Sequence, residues 1–81
     1  MALDEKKYWA AISTIIKMEM TARDNMSQAA LATAAGVGRE AMNAYLSGKR
    51  EMPILVFMKV ADALGVTPHW IFEEAERRMN R

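Results

Sequence analysis

Six residues punctuate this chain and decide most of what it can become. Gly36, Gly38, Gly48 and Gly65, with Pro53 and Pro68, are its only glycines and prolines, and they mark off five stretches. None of the five shows sustained alternation of apolar and polar residues, and all are rich in Ala, Met, Leu, Glu, Lys or Arg. Each therefore reads as a helix. A single all-α domain over residues 1–81 is expected. At this length folding buries only about 60–65% of the surface of the unfolded chain, so the core must be thin.

The first helix is expected from Leu3 to Met20. Tyr8, Ile12, Ile15, Ile16 and Glu19 form a stripe at three- and four-residue spacings, with Trp9 on its border. The polar run Thr21-Ala22-Arg23-Asp24-Asn25 ends it. Ser27 is a good N-cap for a short second helix, Gln28 to Ala35. Its small residues Ala30, Ala32, Ala34 and Ala35 suit close backbone approach to a neighbour. Gly36 fits a left-handed C-terminal cap, and Val37 can plug the core as the chain reverses. A third helix follows from Arg39 to Leu46, stopped by Ser47-Gly48. Pro53 opens a fourth, whose buried face reads as Ile54, Phe57, Met58, Ala61 and Leu64 before Gly65 ends it. Thr67-Pro68 caps and starts the last helix, to about Met79. There Glu73–Arg77 and Glu74–Arg78 are spaced as i,i+4 pairs, and Arg81 completes a basic C-terminal end. The methionines, including Met18, Met20, Met42 and Met58, read as adaptable core filler.

Composition excludes several functional classes. With 52% apolar and 26% charged residues, the chain is not of disordered type. No apolar run approaches the ~18 residues of a membrane span. The start, Met1-Ala2-Leu3-Asp4-Glu5-Lys6, is acidic early and lacks the apolar centre of a secretory signal. There is no cysteine and one histidine, His69, so neither a disulfide framework nor a multi-histidine metal site is expected. His69 reads as a first-turn surface or packing residue. A reducing cytoplasm is the expected compartment. No nucleophile–base pair assembles from this composition, so no enzyme, no cofactor and no small-molecule ligand is expected. The net charge is +1, well short of a bulk nucleic-acid binder. Residues 17–50 carry +2 and residues 51–81 carry −1, so what positive charge there is gathers around the middle helices.

The stretch Ser27–Gly48, SQAALATAAGVGREAMNAYLSG, places two short helices around a three-residue glycine turn. Such a pair is held at a steep angle, as in a helix-turn-helix at residues 27–47. In that unit one helix crosses the sugar–phosphate backbone while the second offers its first residues to the major groove. The stretch resembles the lambda-repressor/Cro-like (XRE) helix-turn-helix family. The matching residues are Ser27-Gln28, Leu31-Ala32, Gly36-Val37, Met42 as an inward plug, and Ser47-Gly48-Lys49-Arg50. Lys59-Val60-Ala61, Ala63-Leu64-Gly65-Val66 and Thr67-Pro68-His69-Trp70-Ile71 extend the match, collinearly, from Gln28 to Ile71. The first helix carries no diagnostic motif. The resemblance implies a five-helix lambda-repressor-like fold and a dimeric regulator of transcription, most simply a repressor, on pseudo-palindromic operator DNA. It also implies a bacterial or phage-infected host.

Within that frame the residues divide by chemistry. Gln28 opens the second helix, where its amide and free backbone N–H groups can hold a phosphate oxygen. Gly38, Arg39 and Glu40 begin the recognition helix, residues 39–46. Arg39 can reach guanine O6 and N7 with two hydrogen bonds, and Glu40 can accept from cytosine N4 or instead orient Arg39. Asn43 suits adenine or a phosphate, and Ala44 a thymine methyl, although both also read as plain exposed helix residues. Tyr45 is expected buried with its hydroxyl at the edge. Ser47, Lys49 and Arg50 lie where the family contacts the DNA backbone. Leu55, Val56 and Phe72 are surplus to the expected buried faces. They read either as a homodimer contact away from the recognition helix or as ordinary packing against the last helix.

A rival reading keeps the fold but gives its surface to another protein, as in an antitoxin or adaptor. Gln28, Arg39 and the Lys49-Arg50 pair speak against it, because such a module has no need of them. The chain ends at Arg81 with no ligand-binding domain, so control by concentration and dimerisation is expected. Both a complete Cro-type protein and the N-terminal domain of a longer repressor fit.

Overall fold

Local chemistry sets every helix boundary. The computed structural model describes residues 3–80; Met1, Ala2 and Arg81, and with them the readings of a leader and of a third C-terminal arginine, lie outside the described residues. The helices are α1 (Glu5–Ala22), α2 (Gln28–Ala35), α3 (Arg39–Leu46), α4 (Ile54–Ala63) and α5 (Pro68–Met79). Asp4 rather than Leu3 starts α1, its carboxylate accepting the Lys7 N–H at 3.0 Å. The helix outlasts its expected end by two residues. Asp24 and Asn25 then turn the chain at φ 56° and 57°, a region these short polar residues tolerate better than most. Ser27 Oγ caps α2 through the Ala30 N–H, and Thr67 Oγ1 caps α5 through the Trp70 N–H, each at 3.0 Å.

At the end of α2, Gly36 (φ 71°) lets its own N–H reach Thr33 O and the Val37 N–H reach Ala32 O. That paired closure is the Schellman motif, and it needs a residue that accepts positive φ. The ends of α3 and α4 repeat it, with Lys49 N–H on Ala44 O and Val66 N–H on Ala61 O. Pro53 sits one residue before α4 as its cap rather than inside the first turn.

The helices pack as a chain of neighbours: α1 on α5, α5 on α4, α4 on α2, and α2 on α3. Ile16, Leu31, Met42, Val60, Leu64 and Ile71, drawn from all five helices, are fully buried at the centre. The Cα radius of gyration is 12.0 Å, about that of a folded chain of this length. Among the described residues no single helix is long and apolar enough to cross a membrane, and α4 and α5 are bent by 94° relative to one another.

Three expectations about faces need correction. The buried face of α4 is Phe57, Val60, Ala61 and Leu64, whereas Ile54 is 62% and Met58 49% exposed. The helix begins Ile-Leu-Val-Phe-Met, apolar all round, so spacing alone cannot choose the face that α2 and α5 cover. Methionine is not uniformly core filler: Met20 and Met42 are buried, but Met18 and Met58 are exposed. On α5 the side-chain contacts are the Arg77–Glu74 ion pair and His69 Nε2 to Glu73 Oε1 at 3.3 Å, not the expected Glu73–Arg77 and Glu74–Arg78. Arg77 reaches back one turn at i,i+3, which leaves Glu73 to His69.

Candidate nucleic-acid interface

The exposed face of α3 follows from how the helix is held. Met42, Tyr45 and Leu46 are buried on one side. Arg39, Glu40 and Asn43 are exposed on the other, with Ala44 half-buried at the margin. Positions i, i+1 and i+4 share a helix face, so three polar side chains project together over the first turn and a half. Gly38 is the N-cap and makes no side-chain cap bond, and a Cβ there would have nothing within 4 Å. The start of α3 is thus bare, with its first N–H groups free of intrahelical partners. The eight-residue helix packs against α2.

Its far end is tied to α1. Trp9 Nε1 donates to Tyr45 O at 2.7 Å, a bond spanning 36 residues of sequence. The Tyr45 ring, buried as expected, carries the Arg50 guanidinium with Cζ 5.5 Å from the ring centre, within cation–π range. Ala44 O gathers the backbone N–H groups of Lys49 and Arg50 and the Ser47 hydroxyl at 3.2 Å. The loop carrying Ser47, Lys49 and Arg50 is therefore folded onto the end of α3, with all three side chains exposed.

Beside that loop lies a cleft of about 690 Å³ between α1 and the α3–α4 connection. Lys6 and Lys17 of α1 line it together with Lys49 and Arg50, and so do Glu5 and Glu51, so its lining carries four cations and two carboxylates. The sequence reading missed Lys6 and Lys17. The signal was present: Lys6, Ala10, Ser13, Thr14 and Lys17 recur at offsets of 4, 7, 8 and 11, a polar stripe on the side of α1 beside the apolar one. Gln28 stands apart on the first turn of α2, half-buried. Ser27 Oγ occupies the Ala30 N–H, leaving those of Gln28 and Ala29 for an outside acceptor.

The apolar trio Leu55, Val56 and Phe72 divides. Leu55 is 66% exposed, while Val56 and Phe72 are half-buried against the core, the Phe72 ring lying 5.1 Å from that of Phe57. The open patch on α4 is Leu55 with Ile54 and Met58.

A protein-family model described as helix-turn-helix matches residues 12–71, nearly three-quarters of the chain. The chain belongs to the XRE/lambda-repressor-like helix-turn-helix family. The match starts inside α1, which by its sequence had fitted the family in length and position alone, and ends at Ile71 in the first turn of α5. Membership makes it a DNA-binding regulator by family. No curated protein and no solved structure matches it.

Proposed function

We propose that this protein is a sequence-specific regulator of transcription, acting as a repressor by occupying a pseudo-palindromic operator in a bacterial or phage-infected cytoplasm. The observation that carries this reading is the outward face of α3, Arg39, Glu40 and Asn43, together with a cleft past the end of that helix lined by four cations and two carboxylates. An α-helix fits the major groove of B-DNA, and the first residues of such a helix meet base edges. In this reading Arg39 reads a guanine, Glu40 a cytosine amino group, Asn43 an adenine and Ala44 a thymine methyl. Gly38 keeps the helix start clear of side chain so the backbone can approach. Gln28, Ser47, Lys49 and Arg50 hold phosphates on either side, and Lys6 and Lys17 extend that path along α1.

A homodimer supplies the second half-site, with Leu55, Val56 and Phe72 as its contact, enlarged by exposed Ile54 and Met58. The protein binds and does no chemistry. In-vitro selection from random duplex pools tests the whole reading. The expected product is an inverted repeat with half-site centres about 10–10.5 base pairs apart, or a multiple of that. Pools that never enrich, at low salt and with dimer present, overturn the reading and return the fold to the protein-interaction alternative.

A further inference from the structure

Trp9 has a second exposed side. Adjoining the basic cleft, with which it shares Glu5, Trp9 and Glu51, an open groove of about 650 Å³ lies between the start of α1, the residues before α4 and the middle of α5, a size typical of small-molecule sites. Three aromatic rings, Tyr8, Trp9 and Phe72, line it, and Leu3, Ile12 and Met52 fill the spaces between them. Its charged residues are all carboxylates: Glu5, Glu51 and Glu76. Among the described residues none of the three is in an ion pair. The Tyr8 phenol stays neutral beyond its ordinary range, because burial and the adjacent Glu76 carboxylate both raise its pKa.

We propose that this groove binds a lipophilic organic monocation, and that the occupant acts as an effector of DNA binding. The chemistry of the lining selects it. Aromatic faces attract cations through their quadrupoles, apolar side chains cover a hydrocarbon skeleton, and the acidic rim supplies the counter-charge. The groove's lining holds no cation to receive a phosphate or an acidic peptide. A neutral apolar molecule leaves the rim unused.

The effector role rests on the DNA-binding reading and on one bond. Trp9 is a wall of the groove, and its indole N–H holds Tyr45 O in the last turn of α3 at 2.7 Å. The other face of that junction is the Ser47–Arg50 loop, with Arg50 on the Tyr45 ring. A guest that stacks on Trp9 and turns it would break this bond and release the hold of α1 on the end of α3, next to the Ser47–Arg50 loop. Coupling of this kind is reciprocal: DNA must weaken the guest as much as the guest weakens DNA.

The probes are tetraphenylphosphonium and its isosteric anion tetraphenylborate, titrated against the full chain by tryptophan fluorescence and calorimetry. Tetraphenylphosphonium is expected to saturate a single site per chain while tetraphenylborate does not bind. Glu51→Gln with Glu76→Gln is expected to weaken the cation about five- to tenfold, as two exposed charge contacts allow, whereas Asp62→Asn, exposed and outside the groove, leaves it unchanged. Equal binding of the two ions, or indifference to the Glu substitutions, overturns the site. A cation affinity that falls as protein concentration rises overturns it too, by showing a second copy seated in the groove. On the selected duplex, saturating cation is expected to weaken binding several-fold; unchanged DNA affinity overturns the effector role. Cation binding by a protein that selects no DNA would instead refute the regulator reading and leave the groove's ligand standing.

Discussion

Removing the Trp9 hydrogen bond tests how α3 is anchored. Tyr45 O accepts two donors, the Trp9 indole at 2.7 Å and the Gly48 N–H at 3.2 Å. Replacing Trp9 by its benzothienyl analogue, with sulfur in place of the ring N–H, keeps the bicyclic shape and deletes one donor. The carbonyl retains the Gly48 bond, so the loss belongs at the lower end of the range for a buried hydrogen bond, about 1 kcal/mol. Trp9→Phe deletes the donor and part of a half-buried ring as well, for a total of about 2 kcal/mol. In a domain of this size ~1 kcal/mol moves Tm by roughly 4–8 °C, so the analogue is expected to melt about 5 °C below wild type and Trp9→Phe about 10–15 °C below. Both stay folded at 25 °C. Thermal unfolding by far-ultraviolet circular dichroism reads the shift. Affinity for the selected duplex is expected to fall a further few-fold, because the Ser47–Arg50 loop loses its tie to α1. An analogue that melts with wild type and binds DNA as tightly would refute the anchoring role. A loss with Trp9→Phe that the analogue does not share would assign the whole effect to ring packing.

Four further outcomes follow from the interface. Arg39→Ala is expected to cost about 1–3 kcal/mol on the selected site and to relax preference at one base pair, read by repeating the selection with the variant; an unchanged preferred sequence removes Arg39 from base reading. Lys49→Ala is expected to weaken all duplexes alike and to reduce the slope of log K against log salt by about 0.9 per subunit, and an unchanged slope means that Lys49 meets no phosphate. Lys17→Gln and Arg78→Gln change net charge equally, but Lys17 lines the cleft and Arg78 does not, so only the first is expected to lower the salt slope. Leu55→Glu, at a side chain 66% exposed, is expected to leave Tm within about 2 °C of wild type while abolishing dimerisation in sedimentation equilibrium.

Legibility in the sequence tracked how local the deciding physics was. The bounds of α2 and α3, set by the Ser27 cap and by glycines forced into positive φ, were readable because a few adjacent residues decide them. The start of α1 was equally local, but Asp4 was overlooked as its cap. The exposed face of α3 was legible because Met42 and Leu46 are large and apolar while Arg39, Glu40 and Asn43 are polar. The buried face of α4 was not, since Ile54 through Met58 offer apolar side chains in every direction and only the positions of α2 and α5 choose among them. The cleft joins residues about forty positions apart, Lys6 and Lys17 with Lys49 and Arg50. No window on the sequence holds both ends of that set. The polar stripe on α1 announced a solvated face and carried no sign of what stood opposite.

The same nonlocality explains why a net charge of +1 misdescribes this surface. Lys6, Lys17, Lys49 and Arg50 line the cleft beside Trp9, Glu76 lines only the aromatic groove, and Glu5 and Glu51 line both. At physiological salt, charges beyond about 8 Å are largely screened, so an approaching group responds to the charges near it and not to the sum. Trp9 matters because it lines both recesses, and its indole N–H ends on Tyr45 O in α3.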